Sequence, residues 1–376
     1  MTEAKPAAAP DPLKRKYVDA LRGLAILGVI MVHCGQNGNN QHLTTFVKYV
    51  ILNGSSGVAL FYFVSAYTLI HSTHARAKVQ HEPLSNFYLR RFFRIAPMFY
   101  VAIIYYLWQD TGGHLGNSLQ AYTAGNIISH FTLLHGFHYW WMNTLVPGGW
   151  SVANEVLFYA LLPLLFRLVN STQKAACFFL ITLYLRYLLD FALRKYVVGH
   201  DDILLEYTRL YLPAQMPVFA LGILYYFVIN DGYKLKVSPV VIFAMAITLL
   251  MNILGVVILP VNVLCTIAFF VLAIALSKKE FRFIVNPVIV YLGKVSYSVY
   301  LCHFAVLYWL GKYNLVDYFV ATSLPGALAN FALRYLVVAL LAVAISSITY
   351  KLIEVPMQRL GHRIIKNRKK ASAELL

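Results

Sequence analysis

Asp19-Ala20-Leu21-Arg22-Gly23-Leu24-Ala25-Ile26-Leu27-Gly28-Val29-Ile30-Met31-Val32-His33 reads as a membrane-spanning helix that carries an acid, a guanidinium and an imidazole. Arg22 and His33 stand eleven residues apart. At 100° per residue they return to nearly the same helix face, about 16 Å apart along its axis. Asp19 lies one turn before Arg22 on that face. An ionisable group inside a bilayer is unfavourable unless it is paired or lines a wet cavity. Three on one stripe therefore predict a polar interior within an otherwise apolar bundle.

The composition around this stretch agrees. Of 376 residues, 60% are hydrophobic and only 12% are charged, more apolar surface than a soluble domain can hide. The fold class expected is all-α: a polytopic bundle of about ten transmembrane helices, with the N- and C-termini cytoplasmic. Segments of about 20 residues fall at 17–36, 56–74, 95–110, 150–168, 175–195, 211–230, 238–257, 261–277, 293–311 and 332–352. The net charge of +17 first suggests a nucleic-acid partner, but its placement speaks against one. With the N-terminus inside, the cytoplasmic side collects Lys14 to Lys16, Arg76, Lys78, Arg90, Arg91, Arg94, Arg167, Lys174, Lys234, Lys236, Lys278, Lys279, Arg282 and the basic tail. The outside receives chiefly Lys48, Arg194, Lys195, Arg209, Lys312 and Arg334. That bias is the signature of membrane topology, so the expected partner is the lipid bilayer and no nucleic acid.

Residues 1–16 are rich in Ala and Pro, lack an apolar core or cleavage site, and read as a disordered cytosolic tail. Residues 17–358 read as one membrane domain and 359–376 as a basic cytosolic tail. Cys34, Cys177, Cys265 and Cys302 are scattered through apolar spans without paired spacing. They imply small buried residues, and no disulfide framework or metal site.

Several further clusters ask for a role. Arg90, Arg91 and Arg94 would share one helical turn. A stop signal snorkelling to lipid head groups and a phosphate site both fit them, since guanidinium forks bind phosphate bidentately. Glu155 lies about a turn inside the outer boundary, with Ser151 four residues earlier on its face. It either bridges two helices or orients and charge-stabilises His33, as a carboxylate does in a triad. Ser296, Tyr300 and His303 form a polar stripe in an apolar helix, as interhelical glue or as a cavity lining. Tyr139-Trp140-Trp141 reads as an interfacial aromatic belt ahead of a sugar-stacking platform. Arg186 and Asp190, at i and i+4, suggest an internal ion pair, and Glu354 a cap or a partner for a basic loop.

Taken together these motifs resemble the acyltransferase 3 family of integral membrane acyltransferases. Asp19-x-x-Arg22-Gly23 with His33 resembles the family's first span. Gly57-Val58-Ala59-Leu60-Phe61-Tyr62-Phe63-Val64-Ser65-Ala66 resembles its Gly-Val-Asp-Leu-Phe-Phe-x-x-Ser-Gly, with Ala59 in place of the acid and Ala66 of the last glycine. Trp150-Ser151-x-x-x-Glu155-x-x-Phe158-Tyr159, Ser296-Tyr297-x-x-Tyr300-Leu301-x-His303 and Glu354-Val355-Pro356 match further family motifs in the right order. Arg91-x-x-Arg94 matches the element that the family associates with the nucleotide end of acyl-coenzyme A, and this favours the phosphate reading.

The resemblance implies O-acyl transfer, usually acetyl, from cytosolic acyl-coenzyme A to a hydroxyl of an envelope or exported carbohydrate, in a bacterial inner membrane. Acyl-coenzyme A is then a substrate, and no permanently bound cofactor is expected. The chemistry needs a base titrating near neutrality, and His33 is the natural candidate. It either deprotonates the acceptor hydroxyl or is itself acylated in a two-step transfer. With Glu155 it makes the expected catalytic pair. Arg22, Arg90, Arg91 and Arg94 are expected to hold the donor, and Asp19, Ser151, Tyr300 and His303 to position substrate. A transporter or channel is the competing class, because intramembrane Arg, His and Glu also build ion pathways. The sequence shows no inverted repeat or matched pair of broken helices to favour it. A catalytically inactive binding or assembly subunit is a third reading, opened by Ala59 and opposed by His33 and Glu155.

Overall fold

The computed structural model describes residues 13–77, 83–115, 118–196, 202–230, 232, 239–240, 243 and 260–374. Every regular element among them is helical: α1 (Leu13–Gln36), α2 (Thr45–Leu52), α3 (Ser56–Ala77), α4 (Leu84–Asp110), α5 (Ser118–Ala121), α6 (Ala124–Phe131) and α7 (Gly149–Leu168). There follow α8 (Thr172–Tyr196), α9 (Asp202–Leu210), α10 (Leu212–Asn230), α11 (Val261–Lys278), α12 (Pro287–Lys312), α13 (Leu324–Thr349) and α14 (Val355–Glu374). A π-helical turn, Tyr350–Glu354, joins the last two without a break. Helix is what a bilayer imposes, because it offers no water to satisfy an open backbone.

Among the described residues, eight helical stretches are long and apolar enough to cross a membrane. They cover eight of the expected spans. The span at 95–110 falls on α4, which adds three arginines to a run of Tyr and Trp and is not one of the eight. The span at 238–257 lies outside the described residues. Three helices begin well before their expected starts, α13 among them at Leu324. α4 takes in the whole arginine cluster, and α12 begins at Pro287, where the Asn286 side chain accepts the Ile289 N–H at 3.0 Å. An Asn cap followed by Pro in the first turn is a strong start signal. Residues 359–374, expected as a basic tail, continue the last helix and lie along α4.

α1 sits at the centre, packed on α3, α11, α12 and α13. Its closest approach is to α12. A Cβ on Gly293 would fall 1.7 Å from the Asp19 carbonyl oxygen, so only glycine lets the two backbones meet there. That contact turns the Ser296–Tyr300–His303 stripe of α12 towards the Arg22–His33 stripe of α1. At the periphery α8 presents Ile181, Tyr184, Leu188 and Phe191 outward, a face suited to lipid.

The expected Arg186–Asp190 pair is not formed. Arg186 points inward and donates to the Ala214 carbonyl and to Asn262 Oδ1, both at 2.8 Å. Asp190 lies on the exposed side of α8 and pairs with Arg194 at 3.0 Å. Acceptors on neighbouring helices outcompete an exposed carboxylate one turn away, because the inward guanidinium must be satisfied where water does not reach.

Candidate active site

α1, α3, α4, α7 and α12 enclose a narrow cavity of about 80 Å³ whose polar lining includes Arg22, Ser65, Arg94, Ser151, Glu155 and Tyr300. Arg22 reaches Asp19 at 3.0 Å and Thr68 Oγ1 at 3.2 Å. Glu155 Oε1 accepts the hydroxyls of Ser65 and Tyr159, each at 2.5 Å. The Tyr159 ring in turn carries the Arg91 guanidinium at 5.8 Å from its centroid, a cation–π contact. Arg94 is exposed at the mouth of the cavity. Three guanidiniums (Arg22, Arg91, Arg94) thus meet two carboxylates (Asp19, Glu155), leaving one positive charge in excess. Arg90 and Arg91 lie on the same helix as Arg94 outside the cavity lining, and Arg91 is tied to it through Tyr159.

At one end of the cavity lies a layer of hydroxyls. The Ser151 hydroxyl donates to the Tyr300 oxygen at 2.8 Å, and the Tyr300 hydroxyl donates to the Gly148 carbonyl at 3.0 Å. Gly148 has φ +74°, and a Cβ there would stand 2.7 Å from the Tyr300 hydroxyl. Conformation and space both demand glycine.

The two histidines come next. The rings of His33 and His303 lie 5.2 Å apart, and Phe304 closes on both at 4.3 and 4.1 Å. His33 Nδ1 donates to Gln36 Oε1 at 2.8 Å, leaving Nε2 with its lone pair. His303 is fully buried. Its Nδ1 donates to the Val299 carbonyl at 3.2 Å, and its Nε2 has no hydrogen-bond partner. The order from one end of the bundle to the other is arginines, carboxylate, hydroxyls, imidazoles.

This order corrects one expectation. Glu155 does not orient His33. It sits one turn further along α7 than Ser151, on the far side of the Ser151–Tyr300 layer from the imidazoles, among the guanidiniums. The expected match in depth fails because the Gly148–Tyr300 contact, rather than Glu155, marks the level next to the histidines. Glu354 also differs from expectation. It is buried, and the hydroxyl of Ser298 donates to it, with no basic-loop partner among the described salt bridges. The other expected members, Arg22, Arg94, Ser151 and Tyr300, line one cavity, and Asp19 holds Arg22.

Four participants escaped sequence reasoning. Ser65 stood in a recognised motif without an assigned partner, and Thr68 follows it one turn later. Tyr159 completes the Glu155 motif. Arg334, expected as a loop-side cation, is instead fully buried. It donates to the carbonyls of Cys34 at 2.7 Å, Val316 at 3.0 Å and Asn37, and pairs with Asp317 at 2.6 Å. It therefore fastens the end of α1 that bears His33.

Residues 113–149 hold a second imidazole pair. His130 and His135 are fully buried and stack at 4.1 Å. His130 Nδ1 donates to Asn126 at 2.9 Å and His135 Nε2 to the Gly149 carbonyl at 3.1 Å, tying this segment to the start of α7. Burial, and then the neighbouring His135, pushes His130 down to about 3. Burial likewise pushes His135 down to about 4. Among the described residues, no group of three or more His, Cys, Asp or Glu side chains is placed to hold a metal ion.

The bundle thus holds paired imidazoles at one level and clustered guanidiniums at another, and sequence comparison gives the family of the chain that builds it. It belongs to the acyltransferase 3 family, whose acyltransferase domain matches residues 15–351. Among curated proteins it is similar to a Staphylococcus aureus (strain COL) protein named "Putative O-acetyltransferase", 22% identical over 391 residues, covering 93% of this chain and 58% of that protein. Counterparts from strains MSSA476 and MRSA252 carry the same name and match with the same identity and coverage. The chain thus spans about 58% of the length of these relatives. No solved structure matches it.

Proposed function

We propose that this chain transfers an acyl group, acetyl in the simplest case, from acyl-coenzyme A to a hydroxyl of an envelope or exported carbohydrate across a bacterial inner membrane. The observation that carries the reading is the polar seam itself. Arg22 of the cationic cavity and the His33 imidazole with its free Nε2 lie on one helix, joined through Tyr300 and His303. Seams of this kind suit a reaction whose donor is an anion and whose acceptor is a neutral hydroxyl. The positive-inside bias puts the arginine end in the cytosol and His33 towards the outside.

In this reading Arg22, Arg91 and Arg94 attract the phosphates of the donor, while Glu155 holds the guanidiniums apart and in place. His33 Nε2 takes the proton of the acceptor hydroxyl as its oxygen attacks the thioester carbonyl carbon. The carbon–sulfur bond breaks, and the proton passes to the leaving thiolate. The lone pair on the free Nε2 of His303 accepts from a hydroxyl of the acceptor and so positions it beside the Tyr300–Ser151 pair. The names of the staphylococcal relatives support the O-acyl part of the reading.

The test is purified protein in nanodiscs with radiolabelled acetyl-coenzyme A and de-esterified oligosaccharide from the producing strain. Wild type should transfer label to the sugar. His33→Ala should lose about 10²-fold or more, whereas Arg94→Ala should chiefly raise the donor KM. Equal rates for His33→Ala and wild type would remove His33 as the base. Label retained on the protein would replace direct transfer by an acyl-histidine step.

A further inference from the structure

The loop before α7 and the short helix α9 form a cleft of about 240 Å³ outside the seam just described, with Tyr139, Trp140, Asn143, Glu206 and Tyr207 among its walls. Tyr139 and Trp140 are 40% and 52% exposed, so their ring faces are available. Asn143 Oδ1 accepts the Gly148 N–H at 3.2 Å, which leaves its Nδ2 pointing elsewhere as a donor. Tyr207 is pinned by its hydroxyl to the Gly136 carbonyl at 3.3 Å. Glu206 is exposed, and no salt bridge among the described residues engages it.

We infer that this cleft is a glycan subsite that delivers the acceptor to the His33 end of the seam. The inference rests on the proposed carbohydrate acceptor for its catalytic meaning. Aromatic faces offer apolar, amphipathic platforms for the C–H face of a sugar ring. A few fixed polar groups then set orientation, and a carboxylate is a strong acceptor for hydroxyl donors. A belt that merely seats the protein in lipid does not explain a concave wall bearing Glu206. That carboxylate also repels the anionic head groups such a belt would meet, and its oxygens accept from the hydroxyl donors of a neutral polyol.

Geometry ties the cleft to the chemistry. The Asn143 side chain that lines it holds Gly148, and Gly148 accepts the Tyr300 hydroxyl next to Ser151. On its other wall, the Leu210 carbonyl at the end of α9 accepts from Asn154 of α7 at 2.6 Å. Both walls are therefore anchored to the helix that lines the cavity.

Saturation-transfer NMR on detergent-purified protein tests this without turnover. The probe is oligosaccharide released by mild acid from the producing strain's envelope and stripped of esters with base. Wild type should transfer saturation to sugar ring protons. Trp140→Ala and Glu206→Gln should each weaken binding about tenfold, while Leu340→Ala, on the outward face of α13, binds as wild type does. Both cleft positions are exposed, and size-exclusion profiles and melting temperatures should match wild type. Undiminished binding in both cleft variants, or no binding by wild type, would overturn the inference. Trp140 fluorescence quenched by brominated lipid and unchanged by oligosaccharide would also overturn it, and return these aromatics to the bilayer. Cleft-dependent binding by a wild type that transfers no acyl group would uphold the subsite while removing the acyltransfer reading.

Discussion

Arg334→Lys separates the geometry of a guanidinium from its charge. In the native fold Arg334 serves five acceptors: the carbonyls of Cys34, Asn37 and Val316, Asp317 Oδ1 and, at 3.5 Å, Asn40 Oδ1. They lie on different sides of one planar fork. A lysine ammonium keeps the charge but is a single compact point, so it reaches Asp317 and at most one or two carbonyls. Two buried acceptors lost at roughly 1–2 kcal/mol each give about 2–4 kcal/mol of destabilisation. Arg334→Ala removes the donor from all three carbonyls at once, while Asp317 keeps the Asn39 N–H at 2.8 Å and the Asn330 Nδ2 at 3.3 Å, and should lose about 3–5 kcal/mol. The Cys34 carbonyl follows His33 directly, so transfer should also fall at temperatures where the lysine variant is still folded. Equilibrium unfolding in mixed micelles, followed by tryptophan fluorescence, measures the first effect, and a transfer assay the second. A lysine variant within about 0.5 kcal/mol of wild type would refute the claim that the fork fastens the end of α1.

Three other outcomes follow from the same geometry. Gly148→Ala and Gly112→Ala both place a side chain at positive φ, at +74° and +63°, but nothing stands within 4 Å of a Cβ on Gly112. The Gly112 variant should lose only about 1–2 kcal/mol, and the Gly148 variant clearly more, with transfer impaired through Tyr300; equal melting temperatures would contradict this. Glu155→Gln retains an acceptor for Ser65 and Tyr159 and should fold while raising the donor KM. Glu155→Ala strands both hydroxyls and should lose about 2 kcal/mol or more, as equilibrium unfolding would register. The His130–His135 pair should make stability fall in acid. Both are neutral when folded and lowered to about 3 and about 4, against 6.5 for an ordinary histidine. The unfolded chain therefore binds more protons below about pH 6.5, and stability drops by up to about 1.4 kcal/mol per pH unit per histidine until the folded values are reached. Stability above pH 6.5 should be indifferent to the pair, and His130→Phe should flatten the acid slope; an unchanged slope would sink the assignment.

Much of this was legible in the sequence because membranes restrict the choices. A stretch such as Lys16–Gln36 has one viable backbone solution, and the polar residues it retains at helical spacing must face inward, as Arg22 and Ser296 do. The Asn286-Pro287 start was equally readable but was overshadowed by the motif at Gly293. Partner choice was less legible, because local spacing gives the face of a helix and not the depth of its neighbour. Glu155 meets Ser65 and Tyr159 rather than His33, since the offset between α7 and α1 is set by Gly148 against Tyr300, a contact between residues far apart in sequence. Arg186 chose Asn262 over Asp190 for a similar reason, and Arg334 found carbonyls that no sequence pattern marks. Aromatics at 139–141 carried two readings, and only their shared concavity with Glu206 distinguishes them.

The π-helical turn at Tyr350–Glu354 has the character of a one-residue insertion absorbed without a loop. Winding the same residues as regular α-helix would turn everything from Val355 onward by about 100° around the helix axis. Glu354 would swing off Ser298, and Gly361, whose backbone lies close against Phe93, would be carried out of its seat on α4. The wide turn thus acts as a phase setting for the last helix. Loss of one residue there should be tolerated only where the turn closes to a regular α-turn, and any other change of length between Ser346 and Gly361 should unseat the last helix.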